Sequence, residues 1–299
     1  MTTVYFDTNV FRHLTADEET ILRKAIDAKQ ISILLSAVNL EELLAAMEKS
    51  AEDEVFPRIR RLLRLVDRSR FLKDTNMLLR DDLVSYAECG RATSPVLSGE
   101  DLLTASARVE TLLLNKAEEN REARLSMIQE AKHQKESFLH RMMNRRAEMW
   151  RDTEQIRGIS FEFVWENQCV RFAENYARRV GVLDACNRRG INGLLKLKSV
   201  RMAIGIALSY FHAKALQKQP QEVDIGDSRD LQHAILAAAR ADVFATREKR
   251  LRTWAARVPI AQFRVLAFDD YLMELRKPTV ASADEALADR GSPRAVRSI

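Results

Sequence analysis

Cysteine is scarce in this chain: three residues in 299, at Cys89, Cys169 and Cys186. The number is odd and no two show CxxC spacing, which argues against a disulfide framework and against a thiolate zinc site. A reducing, cytoplasmic setting is the expectation. Glycine and proline are also few, 9 and 6. Little therefore punctuates the chain, and with 30% charged residues the composition favours helices. No long apolar run is free of charge. The most apolar segment, "VRMAIGIALSYFHAKAL", carries Arg201, His212 and Lys214 and reads as a buried helix rather than a membrane span. A strand beginning at residue 3 leaves no room for a signal peptide.

What is present alternates at both ends of the chain. Residues 3 to 6 read as a short apolar strand, followed by a helix over 15–29 that opens with Thr15 and has Glu18 in capping-box position. "ISILLSAV" (31–38) reads as a second strand, continuously apolar as in a parallel sheet covered on both faces. "NLEELLAAMEKS" (39–50) reads as a helix opening with Asn39. A helix over 226–241 and strands at 242–246 and 263–268 close the pattern. Between them the chain reads as almost wholly helical, with "GRATSPVLSG" (90–99) as a loop and a break in the polar stretch 115–124. Ile128, Met142, Met149 and Ile156 form a partial heptad that Lys135 interrupts. The expected class is α/β: a parallel sheet flanked by helices, in two parts (1–50 and 201–278), interrupted by a large all-helical insertion (51–200) and followed by a flexible tail (279–299).

Acids recur where the strands end. Asp7 ends the first strand, and Glu41 and Glu42 lie at the start of the helix after the second. Asp230 lies in the first turn of a later helix, and Glu248 follows the strand that ends at Thr246. In an open parallel sheet ligands bind beyond these strand ends. Several carboxylates in one small site repel one another unless a cation joins them, and Mg²⁺ or Mn²⁺ accepts an all-oxygen set. Such a site can hydrolyse phosphodiesters. Each acid also has a plain structural reading. Asp7 could merely cap the next helix, Asp227 and Asp230 could exchange the roles of cap and ligand, and His233 reads as a structural histidine.

Net charge is +5, and two segments concentrate it. "FPRIRRLLRLVDRSRFLK" places Arg61, Arg64 and Arg68 on one helical face. From Ala185 to Gln221 there are seven Lys or Arg, among them Arg188, Arg189, Lys196 and Lys198, and no acid. Either alone would read as a solvated face; together they suggest a nucleic-acid surface.

Four segments carry a family resemblance: "VYFDTN", "LLSAVNLEELL", "DLQHAILAAARADVFATRE" and "FRVLAF". They resemble the PIN domain, a family consisting largely of metal-dependent ribonucleases that includes bacterial toxins. The resemblance covers about 3–50 and 222–270 and implies a PIN-like fold and an RNA substrate. It implies Asp7, Glu42 (rather than Glu41), Asp230 and Glu248 as catalytic and metal-binding acids, with Mg²⁺ or Mn²⁺. Asn9, Asp227 and Thr246 would support them. Glu248 departs from the family's usual Asp at that place. An antitoxin or other protein partner, a homo-oligomer, and one or two metals are left open, and no membrane partner is expected.

Two other readings stand beside the ribonuclease. One is a catalytically silent PIN-like module that binds RNA or protein. The other is a haloacid-dehalogenase-type phosphatase built on Asp7, Ser36 and the Asp269–Asp270 pair. Its first motif, however, needs an acid where this chain has Asn9.

Overall fold

The computed structural model describes residues 1–45, 52–67, 70–113, 158–218 and 227–277, with scattered helical positions between 125 and 137. The expected break at 115–124, the partial heptad, Arg68 and the tail at 279–299 lie outside the described residues.

β1 (Thr2–Phe6) is buried along almost its whole length, and its side chains alternate between two cores. Val4 and Phe6 face one layer, with Val10, Phe11, Leu22, Leu43 and Phe268. Tyr5 faces the other, with Met202, Ile206, Leu236, Phe244 and Trp254. A continuously apolar strand is what a sheet covered on both faces requires. The sheet has four parallel strands in the order β2 (Ile31–Ile33), β1, β5 (Val243–Thr246), β6 (Arg264–Ala267). The fold is therefore mixed α/β, mostly helical, around a small parallel sheet.

The expected strand at 31–38 is divided. β2 stops at Ile33, and β3 (Leu35–Ser36) turns away to pair with a second short strand, β4 (Phe71–Leu72). Leu34 marks the transition, its N–H still bonded to the Val4 carbonyl at 2.9 Å. The next helix then begins at Ala37 and runs to Ala45, so Asn39 lies inside it instead of opening it. The reason is local: the buried Asn39 side chain accepts from Ser36 N–H and Oγ and donates to the Phe6 carbonyl. It ties β3 to β1.

The Ala16–Asp27 helix carries the capping box at Thr15 and Glu18. A third core lies among the Thr75–Cys89, Phe161–Val180 and Leu183–Arg189 helices, built on Leu83, Ala173, Ala177 and Cys186. The Lys198–Phe211 helix belongs to this core through Val200, Ile204 and Leu208, and to the sheet layer through Met202, Ala203 and Ile206. Most of its surface is apolar because it is covered on both sides, and Lys198 and Arg201 are only half-buried. The expected boundary at 200 thus falls within an element that serves both parts. Gly205 permits the closeness: a Cβ there would lie 2.4 Å from a Val258 methyl. Among the described residues no helix is long and apolar enough to cross a membrane.

Candidate active site

The chain moves from β1 to β2 on one side of β1, and its later strands β5 and β6 lie on the other. The carboxyl ends of β1 and β5 therefore form the switch point of the sheet, where such folds leave a crevice. In register, Phe6 pairs with Ala245, so Asp7 and Thr246 follow side by side. Thr246 Oγ1 donates to Asp7 Oδ2 at 2.6 Å and accepts from the Glu248 N–H at 2.8 Å. Asp7 Oδ1 accepts from Val10 N–H at 3.2 Å and caps the Thr8–Arg12 helix. One oxygen of Asp7 thus caps the helix, while the other accepts from Thr246 at the end of β5. Asn9 Nδ2 donates to Glu248 Oε1 at 2.5 Å, so Asn9 supports Glu248 and not Asp7.

Glu42 comes from the Ala37–Ala45 helix, where its backbone carbonyl is held by Arg12 Nη2 at 2.7 Å. Its Oε2 lies 3.0 Å from His233 Nε2. Asp230 lies in the first turn of the Asp227–Arg240 helix, whose amino end points to the same sheet edge because its carboxyl end leads into β5. Four acids separated by up to 241 positions in sequence are brought to one edge: Asp230 is influenced electrostatically by Glu42, Glu248 and Asp7.

That influence is unequal. Burial, then the charges of Glu42, Glu248, Asp7 and Asp227, push the Asp230 carboxyl up to about 8. Burial also raises Asp7, to about 6, although Thr246, His233 and the Val10 N–H favour its charged form. Burial opposes ionisation of Glu42 too, but the hydrogen bond and charge of His233, then Thr8 and Arg12, outweigh it and hold that acid down to about 2. Among the described residues no Lys or Arg is salt-bridged to Asp7, Asp230 or Glu248. The charge of His233 favours ionised Glu42 and Asp7, and that of Arg12 also favours ionised Glu42, while Asp230 is left facing its acidic neighbours.

Among the described residues no three His, Cys, Asp or Glu side chains stand as a ready-made metal cage. The protein's own donors occupy three of the acids: Thr246 on Asp7, Asn9 on Glu248, and His233 on Glu42. The donor chemistry nevertheless fits a hard divalent cation, since the set is all oxygen and Asp230 is destabilised by its neighbours' charge.

Other expected residues have different places. Asp227 is fully buried and is paired with Lys214 Nζ at 2.9 Å, so it serves as an ion-pair partner beside the site. Lys214, one of the cations in the second basic segment, is 1% exposed and also faces the rings of Tyr210 and Trp254. Arg61 is bound to Glu19 at 3.0 Å and to the Leu14 carbonyl, and Arg189 to the carbonyls of Ala87 and Glu88. Arg64, Arg188 and Lys196 are exposed and Lys198 is half-buried. Glu41 pairs with Arg229 at 2.7 Å, on the wall of a cavity of about 620 Å³ that none of the four acids lines. Of the phosphatase set, Ser36 is bonded to Tyr5 and Asn39, and Asp269 to Arg247; neither is a partner of Asp7.

The residues missed in the sequence are Tyr5, Thr8 and Arg12, which surround His233 and Glu42. The spacing of Tyr5 two residues before Asp7, alternate positions along an extended stretch, was the available signal. Compared with known proteins, the chain matches no family model, no curated protein and no solved structure.

Proposed function

We propose that the chain is a PIN-like, metal-dependent endoribonuclease that hydrolyses RNA at Asp7, Glu42, Asp230 and Glu248. The observation that carries this reading is the acid edge itself. Four carboxylates gather at the switch point of a parallel sheet, and burial with mutual repulsion pushes one of them up to about 8. A site of this kind is stabilised by a cation, and the family resemblance of the same four residues names Mg²⁺ or Mn²⁺. Bound there, the cation would polarise a phosphoryl oxygen and lower the pKa of an attacking water.

The chain's own residues do the rest. Thr246 and the Val10 N–H fix the two oxygens of Asp7. Asn9 orients Glu248, and His233 orients Glu42. Arg64, Arg188 and Lys196 are exposed cations that would follow a phosphate backbone, and binding through them would weaken with salt. The test is direct: the purified chain should cleave RNA with Mn²⁺, and Asp7→Asn should abolish cleavage. Equal cleavage by that variant would refute the assignment.

A second reading, a silent PIN-like module, is favoured by one observation: protein donors already occupy Asp7, Glu42 and Glu248. No Mn²⁺ binding at millimolar concentration would select it.

A further inference from the structure

We infer that His233 is a positioning residue for Glu42, with Tyr5 and Ser36 setting it from behind; the inference rests on the cation-site reading above. His233 lies three residues after Asp230, one turn along the same helix face, and is 1% exposed. Its Nε2 is 3.0 Å from Glu42 Oε2 and 3.2 Å from Thr8 Oγ1. Its Nδ1 is 2.7 Å from the Tyr5 hydroxyl, which is 2.7 Å from Ser36 Oγ. Ser36 Oγ donates to Asn39 Oδ1, and Asn39 Nδ2 donates to the Phe6 carbonyl. One chain of hydrogen bonds thus runs from the backbone of β1, through β3 and Tyr5, to the acid.

The direction at its end is fixed. A carboxylate can only accept, so in the 3.0 Å contact with Glu42 Oε2 the hydrogen sits on Nε2. The ring cannot flip without cost, because a flip would turn carbon toward Glu42 and leave the Tyr5 hydroxyl without its nitrogen. Tyr5 also packs against the imidazole, with ring centroids 5.7 Å apart. The geometric result is that one helix delivers Asp230 directly and Glu42 through His233. Tyr5 lies on β1 two residues before Asp7, and His233 shares a helix with Asp230, so the support and two of the acids come from the same two stretches of chain. Partners behind a ligand commonly set metal affinity in this way.

The test is Mn²⁺ titration calorimetry on the full chain, with melting temperature measured alongside. His233→Ala should weaken Mn²⁺ binding by about tenfold or more, the usual effect of losing such a partner. His233→Gln keeps an amide donor within reach of Glu42 and should recover affinity to within about threefold of wild type. Tyr5→Phe removes only the hydroxyl behind the ring and should weaken binding by roughly severalfold. A packing role alone would lower the melting temperature of the Ala and Gln variants alike and leave the affinity of folded protein unchanged. Wild-type binding with unaltered affinity in His233→Ala and Tyr5→Phe would overturn the inference and leave the cation reading intact. No binding by wild type would overturn both. If His233→Ala does not fold, Tyr5→Phe decides alone.

Discussion

Replacing Asp230 by Asn should stabilise the metal-free protein, and by an amount that grows with pH. The Asp230 carboxyl is raised from 3.8 to about 8, first by burial and then by Glu42, Glu248, Asp7 and Asp227. An acid raised in the folded state binds its proton more tightly there than in the unfolded chain. Its contribution is therefore fully present below pH 3.8 and is lost as pH rises toward about 8, beyond which it is level. Between those limits the loss is about 1.4 kcal/mol per pH unit, on the order of 4 kcal/mol by pH 7. Asn keeps the shape and donor of the protonated acid but cannot titrate. Urea unfolding in EDTA at pH 4, 5.5, 7 and 8 would show the variant gaining on wild type at each step. With Mn²⁺ added the order should reverse, because wild type would gain binding energy that the variant largely lacks. A stability difference that does not change with pH in EDTA would refute the electrostatic picture of the site.

Two further outcomes follow from the same edge. Glu42 is held down to about 2, so its contribution is present above pH 4.5 and lost as pH falls through that window. Glu42→Gln should remove on the order of 3 kcal/mol of stability at pH 6 and flatten acid unfolding, read by circular dichroism. Lys214→Met should cost up to about 3–5 kcal/mol, since it removes the 2.9 Å partner of the buried Asp227 and keeps the longer 3.8 Å pairing with Arg250, and adding Asp227→Asn should restore part of the loss. Denaturant melts of the single and double variants measure both values; no recovery in the double variant would count against the pairing.

Parts of this arrangement were legible in the sequence because they are local. The Thr15–Glu18 capping box is a four-residue pattern, and Asp7 follows directly on an apolar strand. The order of the acids along the chain also pointed to one sheet edge, since the element type after each strand is read from periodicity. The division of 31–38 was not legible, because an apolar run looks the same whether it serves one sheet or two. β4 is only Phe71–Leu72 and carries no period at all. The fate of the basic residues is tertiary: Lys214, Arg61 and Arg189 acquire their partners from elements 13 or more residues away. His233 looked structural because its partners, Tyr5 and Glu42, are 228 and 191 positions distant. The helical spacing that puts it one turn beyond Asp230 was visible, but the packing of Tyr5 behind it was not.

The central claim is that Asp7, Glu42, Asp230 and Glu248 hold a divalent cation. Anomalous diffraction from crystals of the full chain grown with Mn²⁺ tests this most directly. A manganese peak coordinated by Asp7 and Asp230 with Glu42 or Glu248 is expected, as is its disappearance in Asp7→Asn crystals. Crystals at saturating Mn²⁺ with no peak at the carboxyl ends of β1 and β5 would contradict it.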